Sequence, residues 1–400
     1  MEGSLIGRVQ TGTPALVCVV GTRPEAIKMA PLILKLRECP DFRVRVLASG
    51  QHADMLHQAL SDFGIRADAD LCVMKDRQTL DHITSAVLEG VGGFLDANPQ
   101  DMLLVHGDTT TTLSAALAGF YRNIPVVHVE AGLRSRDMTR PFPEEANRVL
   151  VDRLATLYFA PTRQSADNLL AEGADARRVF VTGNTVIDAL FWTLEHRRET
   201  EVLRDVPADA PLVLMTAHRR ESWGEPLVRV CKAVRGLLER HAELWVVIPL
   251  HKNPVVRNAI REELKNCARV VFTEPLNYPD FVAVMNRSLF IMSDSGGIQE
   301  EASALRKPVL ILRELSERPE ALTMGTGVLV GTNRERIGEE ASRLLTDSAW
   351  FASFSERGMP FGDGSASKRI VNVIGKYFAA KGFENESNEK NDDEGVPVQV

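Results

Sequence analysis

Three acidic residues lie where apolar segments of the sequence give way to polar ones. Asp108 follows "LLVHG", Glu130 follows "VVHV", and Glu144 lies in "PFPEEANR" at the start of a predicted helix. Carboxylates at neighbouring strand ends can serve as general acid and base, which contributes about 10²- to 10⁴-fold in rate. Structural roles stay open, because Asp108 can cap the helix near Thr110 and Glu144 suits a first helical turn. Glu130 has the weakest structural explanation, since an acid that continues an apolar strand is costly to bury unpaired.

A second set of residues has the chemistry of a phosphate site. "GTRPEAIKMAP" follows the first predicted strand and carries Arg23 and Lys28, and "TAHRRES" places His218 after a later strand. "SDSGGIQEEA" joins a strand to a helix through residues 295–297. Glycines let the backbone approach an anion, and the N-terminus of a helix favours negative charge. A plain strand-to-helix turn explains the glycine segment equally well.

The elements that must position these groups alternate along the chain. Short β-branched runs are separated by helical patterns, which predicts parallel sheets covered by helices on both faces. Strands are predicted at 15–20, 44–48, 102–106, 125–129, 157–160 and 179–181, and again at 212–215, 244–248, 270–272, 289–292 and 308–312. A charged stretch interrupts the pattern before residue 210. We therefore predict an α/β chain with two Rossmann-like domains that face each other across a cleft, because such sheets bind ligands beyond their strand ends.

The predicted boundaries follow from this interruption. The N-terminal Rossmann-like domain with the acids spans 15–185, and the C-terminal one spans 186–367. Residues 1–14 are predicted to be flexible, and the polar stretch 383–400 to be a disordered tail. The helix between them, at 368–382, is expected to pack back on the N-terminal domain.

Composition excludes several functions. The net charge of −7 argues against a nucleic-acid binder, and no apolar run approaches the ~18 residues of a membrane span. No signal peptide and no C-x-x-C pair is visible, so a cytoplasmic protein is expected. Neither a metal motif nor a nicotinamide fingerprint is present, and we predict no cofactor. His106 and His128, in predicted strands, are interpreted as hydrogen-bonded core residues.

Eight motifs, in order between about Val17 and Ile370, carry a family resemblance. They are "GTRPEAIKMAP", "HGDTTTT", "HVEAGLR", "PEEANR", "GNTVIDAL", "HRRES", "SDSGGIQEEA" and "ERPEA". Together they resemble the bacterial non-hydrolysing UDP-N-acetylglucosamine 2-epimerases. The resemblance implies a homodimer of the glycosyltransferase-B fold that interconverts UDP-N-acetylglucosamine and UDP-N-acetylmannosamine for cell-surface polysaccharides. It also implies anti elimination of UDP through 2-acetamidoglucal, followed by syn re-addition, with neither metal nor nicotinamide.

The resemblance carries roles over to individual residues. The catalytic positions are Asp108, Glu130, Glu144 and His218. The UDP-binding positions are Arg23, Lys28, Phe281, Ser295, Gly296, Gly297, Glu301 and Arg318. Some relatives bind a second UDP-N-acetylglucosamine as an allosteric effector, and its contacts fall on Gln51, Arg77, Arg219 and His251, together with Glu144.

Three departures from the family pattern affect these expectations. Asp54 stands where glutamine is frequent, and an acid there disfavours a second anionic sugar nucleotide. Ala217 replaces the usual glycine before His218. The stretch 134–140 is rich in arginine, and Arg136 or Arg140 at the sugar would suit an acidic substituent such as a uronate.

Four alternatives to this epimerase activity remain open from the sequence. A hydrolysing 2-epimerase would release UDP and N-acetylmannosamine, and an epimerase of a UDP-acetamido-uronate would use the arginines. A sugar transferase of the same fold has less use for three acids. A non-catalytic sensor would bind UDP without turnover.

Overall fold

Each half of the chain is built on a parallel β-sheet. The protein is described by a computed structural model that covers residues 12–50, 53–75, 78–196, 199–219, 222–316 and 318–382. It divides into two units: unit 1 holds the described residues up to Ala189 and from Gly364 onward, and unit 2 is Leu190–Asp363. Residues 1–11 of the predicted flexible N-terminus and the whole predicted tail, 383–400, lie outside the described residues.

The described part of unit 1 contains a seven-stranded sheet in the order β3-β2-β1-β4-β5-β6-β7. The strands are β1 (Ala15–Val20), β2 (Arg43–Ala48), β3 (Ala69–Asp70), β4 (Met102–His106), β5 (Val126–Val129), β6 (Leu157–Ala160) and β7 (Val179–Val181). The helices are α1 (Arg23–Glu38), α2 (Ala53–Asp62), α3 (Leu80–Ala97), α4 (Thr110–Phe120), α5 (Glu144–Leu154), α6 (Arg163–Ala171), α7 (Thr185–Glu195), which runs into unit 2, and α15 (Ala366–Ala380).

The described part of unit 2 contains a six-stranded sheet in the order β10-β9-β8-β11-β12-β13. Its strands are β8 (Leu212–Thr216), β9 (Trp245–Pro249), β10 (Val270–Thr273), β11 (Phe290–Ser293), β12 (Val309–Ile311) and β13 (Gly327–Leu329). Its helices are α8 (Glu225–Arg240), α9 (Pro254–Leu264), α10 (Tyr278–Arg287), α11 (Gly296–Ala304), α12 (Pro319–Thr323), α13 (Arg334–Thr346) and α14 (Ser348–Ser353).

Both sheets have the strand order of doubly wound folds. Every strand pair is parallel, and the order reverses between β1 and β4 in unit 1 and between β8 and β11 in unit 2. At such a switch point the loops after the two central strands diverge, and ligands of these folds bind there. The predicted class, two parallel-sheet α/β domains, is confirmed.

The central strands are buried along their whole length because helices cover both faces of each sheet. Every residue of β1, "ALVCVV", is buried, and so is every residue of β4, β5, β8 and β11. Strands β3 and β13 were not predicted from the sequence. These edge strands are short and only partly apolar: β3 has two residues, one of them an aspartate, and β13 has three, one of them a glycine. Among the described helices, none is both long and apolar enough to cross a bilayer.

The final helix, α15, belongs to unit 1. It packs against α1, and the rings of Phe42 and Phe378 lie with centroids 6.0 Å apart. The buried carboxylate of Asp188 in α7 accepts hydrogen bonds from the backbone N–H groups of Ala366 (3.2 Å) and Ser367 (2.7 Å). Asp188 therefore caps the first turn of α15, where free N–H groups attract negative charge.

A buried ionic cluster joins three elements of unit 1 beneath the loop after β5. Asp152 Oδ1 lies 2.6 Å from His128 Nδ1, and Asp152 Oδ2 accepts a hydrogen bond from Arg134 at 2.7 Å. His128 Nε2 donates to the carbonyl of Gly107 at 2.8 Å, and Arg134 also binds Glu172 at 2.7 Å. His128 is thus the hydrogen-bonded core residue predicted from the sequence. Burial alone would raise the pKa of Asp152, but His128 and Arg134 outweigh it and hold the pKa below its ordinary value.

Asp152→Asn is expected to lower the free energy of unfolding by about 3 kcal/mol at neutral pH, because the buried guanidinium of Arg134 keeps only Glu172 as an ionic partner and His128 loses its carboxylate partner. A depressed carboxyl pKa stabilises the fold above the unfolded-state value and loses that effect on acidification, so the deficit should shrink below about pH 4. Urea denaturation followed by circular dichroism measures both units. All four tryptophans, Trp192, Trp223, Trp245 and Trp350, belong to unit 2, so their fluorescence follows that unit alone.

The control is Asp167→Asn, which removes an exposed ion pair with Arg163 and should change little. A circular dichroism transition of Asp152→Asn that matches the wild type would contradict the stabilising role of the cluster.

Candidate functional site

A buried carboxylate holds together the two loops at the switch point of unit 1. Glu25 is only 4% exposed, and its Oε2 accepts from the backbone N–H groups of Gly21 (2.8 Å) and Thr22 (2.6 Å). Its Oε1 accepts from the hydroxyls of Thr109 (2.6 Å) and Thr112 (2.8 Å). Glu25 therefore links the loop after β1 to the loop after β4, although burial raises its pKa. The sequence analysis did not single it out, but the capping-box pattern from Thr22 to Glu25 was a signal for it.

The single glycine of the first loop is required by packing. A Cβ atom on Gly21 would lie 2.4 Å from Thr111 Oγ1 and 2.8 Å from Ser49 Oγ, which no side chain tolerates. The hydroxyls of Ser49 and Thr111 are themselves 3.1 Å apart. The close approach of this loop to α4 thus explains why residue 21 is a glycine, whereas the sequence had suggested a role in binding a ligand.

Glu130, at the end of β5, lies among three nitrogen groups. Its Oε2 forms an ion pair with Lys28 and accepts a hydrogen bond from Asn184 Nδ2 at 2.7 Å. Its backbone has a φ of 68°, in the left-handed region that costs energy for a residue with a side chain. Two residues expected in the site, Lys28 and Glu130, are therefore in direct contact. Asn184, from the motif "GNTVIDAL", is a member of this group that the sequence analysis did not assign.

His106 lies beside this carboxylate. It is 3% exposed, and its Nε2 is 3.8 Å from Glu130 Oε2. Burial lowers the pKa of His106 to about 3, against the opposing effect of Glu130, so the ring is neutral at physiological pH. Nε2 has no hydrogen-bond partner among the described residues. The prediction of a core position is confirmed, but the predicted hydrogen bonding is wrong for this nitrogen, because the neighbouring donors bind Glu130 instead.

Asp108 is held by α5, the helix that begins at Glu144. Arg148 binds the carboxylate of Asp108, and Asn147 Nδ2 donates to the backbone carbonyl of Asp108 at 2.9 Å. Glu144 is one helical turn before Arg148, on the same face of α5. Its Oε2 is buried without a hydrogen-bond partner in the described chain. The N-cap of α4 is Thr109, so Asp108 does not have the capping role that the sequence left open.

The arginine-rich stretch 134–140 is anchored to the start of α5. The buried carboxylate of Glu145 accepts from the backbone N–H groups of Ser135 and Arg136, each at 2.9 Å. Arg134 belongs to the buried ionic cluster, and the guanidinium of Arg136 lies 3.3 Å from Asn168 Oδ1. Arg140 is exposed.

In unit 2, a buried acid orients the loop that carries His218. Asp294 follows β11 and is 0% exposed, and its Oδ2 accepts from the backbone N–H groups of His218 (2.9 Å) and Arg219 (2.8 Å). Its Oδ1 lies 2.9 Å from His218 Nδ1, and the ring of His251 stacks on that of His218 with centroids 6.5 Å apart. Burial would raise the pKa of Asp294, but its contacts with His218 and this backbone keep it below its ordinary value. Asp294 was not among the residues predicted from the sequence.

The glycine turn of unit 2 leads directly into α11. Ser295 is the N-cap, and the helix begins at Gly296, two residues before the predicted start. A Cβ on Gly296 would lie 3.8 Å from the guanidinium carbon of Arg318, whereas one on Gly297 would meet nothing within 4 Å. Arg318 forms an ion pair with Glu300 in the same helix. The turn therefore combines the N-terminus of a nine-residue helix with a cation, a combination that attracts anions.

Glu301 is held by a tyrosine that the sequence analysis also missed. Tyr278, 5% exposed, donates from its hydroxyl to Glu301 Oε1 at 2.8 Å. Burial, and then the charge of Glu301, raise the pKa of Tyr278 well above its usual range, so the hydroxyl remains a donor. Phe281 is three residues further along α10, half-buried against the core of unit 2. The stretch "NYPDF" was a signal for Tyr278 in the sequence, because a tyrosine close to the candidate binding residue Phe281 can orient an acid in the same site.

The predicted residues are divided between the two units. Unit 1 carries Arg23, Lys28, Asp108, Glu130 and Glu144, and unit 2 carries His218, Arg219, His251, Phe281, Ser295, Gly296, Gly297, Glu301 and Arg318. Two of the expected effector contacts, Gln51 and Arg77, lie outside the described residues, while Asp54 is exposed in α2. Within the described ranges, no three His, Cys, Asp or Glu side chains are grouped so that they could hold a metal ion.

Comparison with known proteins connects this arrangement to one family. The family described as UDP-N-acetylglucosamine 2-epimerase matches residues 34–375. The UDP-N-acetylglucosamine 2-epimerase of Yersinia pestis is 47% identical over 90% of this chain and 98% of its own length. That of Bacillus subtilis is 48% identical over 90% of this chain and 94% of its own length.

Solved structures agree with the sequence relatives. A putative UDP-N-acetylglucosamine 2-epimerase from Listeria monocytogenes has a TM-score of 0.87 and 43% identity, covering 92% of this chain and 98% of its own. A UDP-GlcNAc 2-epimerase from Neisseria meningitidis, solved bound to UDP-GlcNAc, has a TM-score of 0.85 and 44% identity, covering 90% of this chain and 100% of its own.

The resemblance inferred from eight motifs is thus confirmed by matches that span nearly the whole chain. Its two α/β units have the glycosyltransferase-B type of fold found in these neighbours. The chain is an isomerase and belongs to the UDP-N-acetylglucosamine 2-epimerase family.

Proposed function

We propose that this chain interconverts UDP-N-acetylglucosamine and UDP-N-acetylmannosamine by inverting C2 of the sugar, without net hydrolysis. One observation carries the proposal beyond family membership. Unit 1 carries a carboxylate after β4, another after β5 and a third at the start of α5; the first two form ion pairs with Arg148 and Lys28, and the third, Glu144, has a buried oxygen without a described donor. A carboxylate oxygen that no described donor occupies is available to take up a proton from the substrate.

The reaction breaks two bonds of the substrate in its first half. The C2 proton passes to a carboxylate of the enzyme, and the C1–O bond breaks with its electron pair leaving on the β-phosphate of UDP. The C1=C2 double bond of 2-acetamidoglucal forms. In the second half, a proton is added to the other face of C2 and the diphosphate oxygen attacks C1. No oxidant or reductant is needed, because the second half restores the C–H and C–O bonds that the first half breaks.

The contacts in unit 1 support distinct roles for the acids. Glu144 is the best candidate for the group that removes the C2 proton, since its Oε2 is buried and lacks a described donor. Lys28 forms an ion pair with Glu130, and Arg148 forms one with Asp108, so either carboxylate can stabilise positive charge that develops at C1. The loops that carry these groups are fixed by Glu25.

The groups of unit 2 support retention of UDP after the C1–O bond breaks. The α11 N-terminus at residues 295–297, together with Arg318 and His218, offers N–H groups and cations to a diphosphate whose negative charge grows. Glu301 can accept from the ribose hydroxyls, and we assign Phe281 to the uracil ring, as the family resemblance implies. Holding UDP makes its re-addition effectively intramolecular.

The proposal extends to the setting of the enzyme. We infer a cytoplasmic homodimer that supplies cell-surface polysaccharide precursors, as the resemblance implies. Arg219 and His251 are the described candidates for contacts with an activating second UDP-N-acetylglucosamine. The stacking of His251 on His218 supports this assignment, because an effector held by His251 would be sensed next to a catalytic residue.

Incubation with UDP-N-acetylglucosamine in D2O should give UDP-N-acetylmannosamine with deuterium at C2 and little free UDP at long times, which proton and phosphorus NMR measure together. Absence of both the product and the exchange would contradict the proposed function. Accumulation of UDP with free N-acetylmannosamine would identify the hydrolysing reaction instead.

Glu144→Gln is expected to lower kcat by about 10²- to 10⁴-fold, because the amide cannot take up the C2 proton. Binding of UDP, measured by calorimetry, should change little, since the proposed UDP contacts of unit 2 remain. The matched control is Glu89→Gln at an exposed position of α3, which should behave as the wild type. If Glu144→Gln incorporated deuterium from D2O at C2 as fast as the wild type does, Glu144 would not be the group that removes the C2 proton.

Tyr278→Phe tests the ribose-binding assignment of Glu301. It removes the hydrogen bond at Glu301 Oε1, and KM should rise about tenfold with kcat nearly unchanged, because this contact is equally strong in the ground and transition states. Tyr121→Phe at an exposed position is the control. A fall in kcat at constant KM would show that Glu301 acts in the chemical step rather than in binding.

A further inference from the structure

The geometry around His218 assigns a role to Asp294 that goes beyond binding UDP. We propose that Asp294 is a positioning residue that keeps the proton of His218 on Nδ1 and so presents Nε2 to the diphosphate of the UDP-sugar. This inference deepens the proposed function and rests on it for the identity of the ligand. The orientation of the histidine itself follows from contacts within unit 2.

The two carboxylate oxygens of Asp294 have separate tasks. Oδ2 accepts from the consecutive backbone N–H groups of His218 (2.9 Å) and Arg219 (2.8 Å), which fixes the loop after β8. Oδ1 faces the ring, 2.9 Å from Nδ1, at ion-pair distance although not in the line of an ideal hydrogen bond. One buried side chain therefore sets both the backbone and the ring of the same histidine.

A carboxylate that only accepts hydrogen bonds decides which ring nitrogen carries the proton. Asp294 is completely buried, and its contacts with His218 and the adjacent backbone hold its pKa below the ordinary value, so it is ionised at neutral pH. An ionised carboxylate has no proton to donate, and Nδ1 beside it must therefore carry the hydrogen. Nε2 is then the nitrogen that meets the ligand, as a donor in the imidazolium and as an acceptor in the neutral ring.

This arrangement suits a group that responds to a departing diphosphate. When the C1–O bond breaks, the β-phosphate gains charge, and an imidazolium whose Nε2–H points at it stabilises that charge. Asp294 stabilises the same imidazolium from the other side. The ring of His251, stacked at 6.5 Å, has its pKa lowered by burial and by His218, so it adds no fixed positive charge that would oppose the imidazolium.

Asp294→Asn separates the two tasks. The amide oxygen of the asparagine can still accept from both backbone N–H groups. Its NH₂ group then faces the ring and donates to Nδ1, so Nδ1 must be unprotonated and the proton moves to Nε2. A neutral ring in this tautomer no longer stabilises the charge on the departing diphosphate as the imidazolium does. We therefore expect kcat to fall by about 10²-fold or more, while the Kd for UDP changes less than about threefold. Asp209→Asn, at an exposed position of unit 2, is the control.

Two further measurements distinguish positioning from a structural role. If Asp294 acts through His218, the double variant Asp294→Asn with His218→Gln should be no slower than His218→Gln alone. Nitrogen-15 NMR of histidine-labelled wild type, with His218 assigned by its absence in His218→Gln, should show the proton on Nδ1, and in Asp294→Asn on Nε2.

Wild-type kcat in Asp294→Asn, additive losses in the double variant, or a wild-type His218 with its proton on Nε2 would each overturn the proposal. The NMR readout needs no turnover and no folded variant at Asp294. A wild type without epimerase activity but with the Nδ1 tautomer would therefore refute the proposed function and leave the positioning by Asp294 standing.

Discussion

In each unit a buried carboxylate joins the two loops on either side of the point where the strand order reverses. Glu25 does this in unit 1, between the loops after β1 and β4, and Asp294 does it in unit 2, from the end of β11 to the loop after β8. At a switch point the loops diverge, because the helices that follow them cover opposite faces of the sheet. The divergence makes room for a ligand but leaves buried N–H groups without partners, and a carboxylate that accepts several of them satisfies both loops at once.

The same device recurs where other loops must be fixed. Glu145 accepts two consecutive N–H groups at the start of the stretch 134–140, and Asp188 accepts two at the first turn of α15. Both carboxylate oxygens of Glu145 and of Asp188 have donors, so these two acids serve the structure. Glu144 differs from them, since its Oε2 is buried without a donor in the described chain. The contrast separates acids that hold the site together from the acid best placed to move a proton.

Much of the fold and part of the site could be predicted from the sequence. Apolar β-branched runs marked β1, β4, β5, β8 and β11, since a strand buried on both faces needs no polar alternation. The motifs also named Lys28, Glu130 and Asp108. The residues that orient them were missed: Glu25 is 84 positions from Thr109, and Asp294 is 76 from His218. No local pattern records such pairs, because the partners become neighbours only when the parallel strands align.

The sequence by itself determined the α/β class, the family and the residue types that do chemistry, because these depend on local periodicity and on motifs read in order. Only the tertiary structure decided how each group is used. It paired Glu130 with Lys28 and Asp108 with Arg148, and it left Nε2 of His106 without a described partner. The physical reason is that burial and the nearest charge set the protonation of a side chain, and both are properties of the packed chain.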